Sequence, residues 1–183
     1  MTSRFALRPG GVAEVTAMHG LLVEVYTDAY AHRVATGNPF ASPGSFAERL
    51  ERHRARPGFS WVGAWSDGEL VGYSYGQRPD PRYWFGDELA DEHEPLTEMR
   101  LFVTNELMVR QAWRDQGIGR LLHDALIDAR EAVTHLGLYV RPDNEPAVHL
   151  YTRLGYERIG TRQLAYEGAP LFDVMLRAVS KGS

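Results

Sequence analysis

The chain has 183 residues, enough for one well-packed domain and short for two, so a single domain over residues 1–183 with one main site is expected. With 20 basic against 24 acidic residues, seven histidines and no basic stripe, its charge argues against sequence-independent nucleic-acid binding. The lack of cysteine excludes disulfides, zinc–thiolate sites and a cysteine-bound acyl intermediate, and the chain shows neither a secretory start nor about 18 successive apolar residues, so a cytoplasmic protein is expected, with no membrane partner and no metal.

Phe5 to Arg8 reads as a short strand stopped by Pro9-Gly10-Gly11. Val15, Met18, Leu22, Val25, Tyr26 and Ala29 then recur at helical spacing. Ser45 with Glu48 resembles a capping box opening a second helix through Leu50 and His53, ending near Pro57-Gly58. Phe59–Trp65 and Leu70–Gln77 flank Asp67-Gly68, a strong hairpin signal. From Arg78 to Pro95 there is no clear periodicity, which predicts a loop over the site. Its acids Asp87, Glu88, Asp91, Glu92 and Glu94 can attract a cationic amine or be merely solvated. Tyr83, Trp84 and Phe85 can wall an acceptor or anchor the loop.

Leu101 to Val109 reads as a strand, and Ile118, Leu121, Leu122, Ala125, Leu126 and Ala129 as a helix. Leu136–Val140 is a further strand, and Ala147, Val148, Leu150, Tyr151 and Leu154 form a helical stripe closed by Gly155. Strands around Tyr156–Leu164 and Leu171–Leu176 follow, across Gly168-Ala169-Pro170. This order predicts an α/β fold, a mixed sheet with helices on its faces.

The junction Arg114-Asp115-Gln116-Gly117-Ile118-Gly119 lies where strand period gives way to helix period. The first N–H groups of a helix have no partner inside it, and the helix dipole favours an anion there. Gly117 and Gly119 let the backbone come close, and Arg114 and Arg120 can add charged hydrogen bonds, an arrangement suited to two linked phosphates. The glycine spacing matches neither a nucleoside-triphosphate loop nor a dinucleotide fingerprint. A tight turn that only starts a helix is the other reading.

Asn105-Glu106-Leu107-Met108-Val109 followed by Arg114 to Leu122 resembles the first signature of the GNAT superfamily of N-acetyltransferases. Asn144, Ala147, Leu150-Tyr151 and Leu154-Gly155-Tyr156 resemble its second. The resemblance implies a single-domain GNAT-like fold: a mixed, mostly antiparallel sheet of about six to seven strands, splayed at the central strands, with about four helices. It also implies acetyl-CoA as cofactor, its pyrophosphate on Arg114, Asp115, Gln116, Gly117, Ile118, Gly119 and Arg120. Backbone groups of Leu107, Met108 and Val109 would face it, with Asn144 and Tyr151 nearby. Asp115 is a departure, since relatives often carry glycine there.

Acyl transfer from a thioester to an amine requires a polarised carbonyl, a base for the amine proton and an acid for the thiolate. The resemblance makes Tyr151 the acid, and a backbone N–H near Met108 or Val109 the polarising donor. Glu106, interrupting an apolar strand, is the candidate base, with His93, Glu94, Glu98 and His149 as rivals and a salt-bridged strand glutamate as the plain alternative. The expected partner is a small-molecule or peptide amine attacked directly in a ternary complex, with homodimers common among relatives. The competing function is a regulatory module that binds acyl-CoA without turnover.

Overall fold

The structure, a computed structural model, describes residues 4–92, 98–128 and 132–179. β1 (Ala6–Gly10) runs through Pro9 instead of stopping there. It is first in the sheet order, and on an edge strand a missing N–H need not interrupt a ladder. The helix expected over Val15–Ala29 is broken into α1 (Val12–Ala17) and α2 (His19–Ala29), followed by α3 (Ala31–Val34). Its apolar stripe survives the break: Val15, Leu22, Val25, Tyr26 and Ala29 are all buried.

α4 (Pro43–Arg54) begins before Ser45, and the expected Ser45–Glu48 capping box is not its start. Ser42 is the cap, its Oγ accepting from the Ser45 N–H at 3.1 Å, and Pro43 fills a first-turn position whose N–H would be unpaired anyway. β2 (Ser60–Ser66) and β3 (Glu69–Gln77) form the predicted hairpin. Asp67 and Gly68 both have positive φ, 48° and 83°, as a two-residue turn between right-twisted strands requires.

The chain divides into two compact units, Met1–Gln77 with Asn105–Arg130 and Arg78–Thr104 with Glu131–Ser183. In the first, α7 (Ile118–Asp128) lies along β1, β2 and β3 and buries Ile118, Leu122 and Leu126, spaced one turn apart. The core of this unit gathers Leu22, Phe46, Leu50, Trp61 and Tyr73, among others. Each such side chain removed from water contributes roughly 1.5–3 kcal/mol before entropy is counted.

In the second unit, the stretch expected to be a loop holds two short helices, α5 (Pro81–Phe85) and α6 (Asp87–Glu92). Asp80 caps α5, accepting from the Tyr83 N–H at 3.2 Å, and Pro81 opens the helix. Trp84 and Phe85 belong to this unit's core with Leu89, Leu101, Val103 and Val174, so they anchor the segment, whereas Tyr83 is exposed. Gly137 lies under the Trp84 ring, where an added Cβ would come within 2.6 Å of it. Arg162 donates to the carbonyls of Tyr83, at 2.8 Å, and of Trp84. β5 (His135–Val140), α8 (Glu145–Arg153), β6 (Glu157–Gln163) and β7 (Leu171–Ala178) complete the unit, β7 lying antiparallel between β5 and β6.

β4 (Leu101–Val109) contributes to both units, in the sheet order β1-β2-β3-β4-β5-β7-β6. It pairs with β5 in parallel from Leu101↔His135 to Thr104↔Leu138, and the strand itself runs on to Val109. The fold is thus the predicted mixed α/β sheet of seven strands. Among the described residues it carries eight α-helices, of which α2, α4, α7 and α8 are the four long ones.

Candidate functional site

The start of α7 is open. Its first internal bond runs from the Leu121 N–H to the Gly117 carbonyl at 3.2 Å. Among the described residues, no protein acceptor meets the amides of Gly117, Ile118, Gly119 or Arg120. Gly117 has φ 76°, and nothing lies within 4 Å of a Cβ placed on it, so the backbone there borders free space. Four unpaired donors at the positive end of a helix, with room in front of them, fit an anion.

Asp115 has φ 60°. This left-handed conformation explains why glycine suits the position and why aspartate, among the more tolerant residues there, can stand in for it. Its side chain is exposed, as is Arg114. The Arg114 guanidinium donates to the Ala29 carbonyl, Gln116 accepts from Arg4 at 3.1 Å, and Arg120 pairs with Asp124 at 3.5 Å across one helical turn.

On β4, the groups of even-numbered residues turn to β3. The Glu106 carbonyl accepts from Ser74 Oγ at 2.9 Å, the Met108 carbonyl would lie 2.6 Å from a Cβ on Gly72, and the Arg110 N–H donates to the Val71 carbonyl at 2.9 Å. Alternation therefore turns the backbone groups of Leu107 and Val109 to the other edge of β4. The Met108 side chain belongs to the core of the first unit.

The Glu106 side chain is half-buried, and burial pushes its carboxyl up to about 7, partly offset by the positive charges of Arg49 and Arg33. A carboxyl with that value is half ionised at neutral pH, the condition suited to a general base. Its charge is felt by Tyr26, Tyr73 and Tyr75, whose hydroxyls burial already holds above the ordinary phenol range. Tyr75 lies 3.3 Å from His53 Nδ1. Burial, with Arg49, Arg56 and Arg52 nearby, pushes His53 down to about 3, so its ring is neutral wherever the protein is folded at ordinary pH.

In the second unit, Asn144 stands at the cap of α8, but its side chain makes no cap hydrogen bond; its main-chain carbonyl accepts from Ala147 and Val148 at 3.0 Å. Simple capping therefore does not account for that side chain. Tyr151 is buried on α8, edge-on to Tyr156 at 5.6 Å. The rival His149 is exposed on α8 and Glu98 is exposed, while His93 and Glu94 lie outside the described residues. The described acids Asp87, Glu88, Asp91 and Glu92 are exposed, Asp91 pairing with Arg82 at 3.1 Å.

The charge of Arg49 on Glu106 was not anticipated, although a signal was present. With Phe46, Leu50 and His53, Arg49 forms an i, i+3, i+4 and i+7 stripe on α4, with two polar residues on its inward face. Among the described residues no cluster of metal-holding side chains occurs, and no helix is long and apolar enough to cross a membrane.

A family model described as the acetyltransferase (GNAT) family matches residues 22–156. The N-alpha-acetyltransferase RimI of Mycobacterium tuberculosis is 36% identical over 118 residues, which are 64% of this chain and 64% of that protein. The chain thus matches less than two thirds of that relative's length. An acetyltransferase from Thermus thermophilus has TM-score 0.65 at 16% identity, covering 96% of this chain and 97% of that one. A GNAT family acetyltransferase from Elizabethkingia anophelis with acetyl-CoA bound has TM-score 0.62 at 13% identity, covering 97% and 100%. At these identities the two structures speak for the fold alone.

Proposed function

Because this chain belongs to the GNAT acetyltransferase family, we propose that it transfers an acetyl group from acetyl-CoA to a primary amine by direct attack in a ternary complex, residues 1–183 acting as one domain. The observation that carries this reading is the row of unpartnered amides from Gly117 to Arg120 at the start of α7. In this reading those amides hold the pyrophosphate, Arg114, Gln116 and Arg120 add side-chain donors, and Asp115 turns to water. Asn144, with its side chain unused by the helix, bonds to the cofactor.

Bound in that way, acetyl-CoA supplies an activated thioester. A backbone N–H near Met108 or Val109 polarises the carbonyl as the amine nitrogen bonds to its carbon. Glu106 takes the proton the amine loses, directly or through water, and Tyr151 gives a proton to the sulfur as the carbon–sulfur bond breaks. Glu106 is competent as a base above about pH 7, where it is ionised. The name of the RimI relative favours an α-amine as acceptor.

The test is a panel of amines with acetyl-CoA, following released thiol and acetylated product by mass spectrometry. Turnover that Tyr151→Phe lowers more than it lowers acetyl-CoA binding supports the reading. Tight binding of acetyl-CoA without turnover on any amine would establish a binding module instead.

A further inference from the structure

Arg4, just ahead of β1, brings a cation to the start of α7 from more than a hundred residues away in sequence. Its Nη1 donates to Gln116 Oε1 at 3.1 Å, and its guanidinium lies 5.2 Å over the Trp113 ring and 5.8 Å over the Phe5 ring. Phe5 is buried and meets Trp113 edge to face at 6.1 Å, so the aromatic seat of the guanidinium is part of the fold. Arg4 itself is exposed, and among the described residues no carboxylate pairs with it. One hydrogen bond holds the fork, and its remaining donors are left to solvent.

The cations of the loop itself are differently placed. Arg114 is engaged by the Ala29 carbonyl and Arg120 by Asp124 at 3.5 Å. Between Arg114 and Asp124 two arginines and two aspartates cancel, so the segment carries no net positive side-chain charge toward an anion, and Arg4 supplies one. The Arg4 bond also sorts the Gln116 amide. A guanidinium only donates, so the oxygen end of that amide is taken and the Nε2 end is left as a donor, one residue before Gly117.

Resting on the acetyltransferase reading, we propose that Arg4 binds a phosphate group of acetyl-CoA, extending the anion site of α7 to the residues ahead of β1, and orients Gln116 to donate to the same ligand. A guanidinium meets phosphate oxygens through charge-assisted bonds, and stacking on Trp113 holds it in place beforehand. The diphosphate and the 3′-phosphate of the cofactor offer the same chemistry, and removing the 3′-phosphate separates them.

Acetyl-CoA and its 3′-dephospho form are titrated by calorimetry into the wild type, Arg4→Gln and Arg4→Lys over a series of salt concentrations. Arg4→Gln should weaken acetyl-CoA by about 3- to 10-fold at low salt, the scale of one exposed charge-assisted bond, and the loss should shrink as salt screens the charge. Arg4→Lys, which keeps the charge and can still donate to Gln116, should recover part of the affinity. An equal loss with both ligands assigns the contact to the diphosphate, and a loss with acetyl-CoA alone assigns it to the 3′-phosphate. Unchanged affinity in Arg4→Gln overturns the inference, and so does a loss indifferent to salt, which would make Arg4 a strut for the loop and nothing more. Both of those results leave the acetyltransferase reading standing, whereas a wild-type protein that binds no acetyl-CoA overturns that reading as well.

Discussion

Two long helices of the first unit, α4 and α7, begin in opposite ways. α4 is closed by its own chain: Ser42 Oγ takes the Ser45 N–H and Pro43 removes one donor altogether. α7 is entered through left-handed backbone at Asp115 and Gly117, and among the described residues its first amides meet no protein acceptor. A helix start without a cap forgoes about 1 kcal/mol, and a chain that can cap one helix so fully has left the other open at a cost. The difference separates groups committed to the fold from groups held for a ligand, and Glu106, ionisable and half-buried on β4, belongs with the second kind.

The largest expected break of that contrast is at Glu106. Glu106→Gln should lower kcat at neutral pH by about 10²- to 10⁴-fold, the range for losing a general base, and abolish the acid limb near pH 7. Stability supplies an independent check on the same group. Its folded value of about 7 exceeds the ordinary 4.5, so between those pH values the unfolded chain releases the proton first and folding stability falls as pH rises. Glu106→Gln should therefore melt above the wild type at pH 8, the gap closing below about pH 4.5. Arg49 lowers the Glu106 value, so Arg49→Gln should move the acid limb of the wild-type pH profile upward.

Next in size is Gly117→Val. A β-branched residue at φ 76° is strained and projects into the space before the amides, so affinity for acetyl-CoA should fall by roughly 10- to 100-fold in calorimetry. Ser42→Ala is the counterpart at the committed helix. It should reduce stability by about 1 kcal/mol in denaturant titration and leave acetyl-CoA affinity unchanged. The smallest effect is expected at Asp115→Gly, which relieves left-handed strain and removes a negative charge near a bound diphosphate, tightening binding by up to about fivefold. Unchanged affinity in both the Gly117 and Asp115 variants would move the pyrophosphate elsewhere.

What the sequence made legible follows the range of the forces involved. The β2–β3 hairpin and α7 rest on neighbouring residues, Asp67-Gly68 for one and the spacing of Ile118, Leu122 and Leu126 for the other, so local pattern sufficed. The start of α4 was misplaced because two serines compete for the cap and only Ser42 is followed by proline. α5 and α6 escaped because helices this short depend on burying Trp84, Phe85 and Leu89 against distant strands, although Asp80-Pro81 was a readable start signal. At the site, the phosphate-gripping loop was readable because its chemistry is backbone chemistry announced by glycine. The surroundings of Glu106 were not, since Arg49 and Arg33 act on it through charge from more than fifty residues away in sequence, and its burial is set by the fold.

The bare floor that Gly137 leaves beneath Trp84 has a consequence for how this chain can change over evolutionary time. The segment between β3 and β4 is fastened at its leading end, where Trp84 fits that floor and Arg162 grips two successive carbonyls. Any side chain at position 137 evicts the indole and unfastens the segment from that end, so a position far along the chain constrains residues it never touches in sequence.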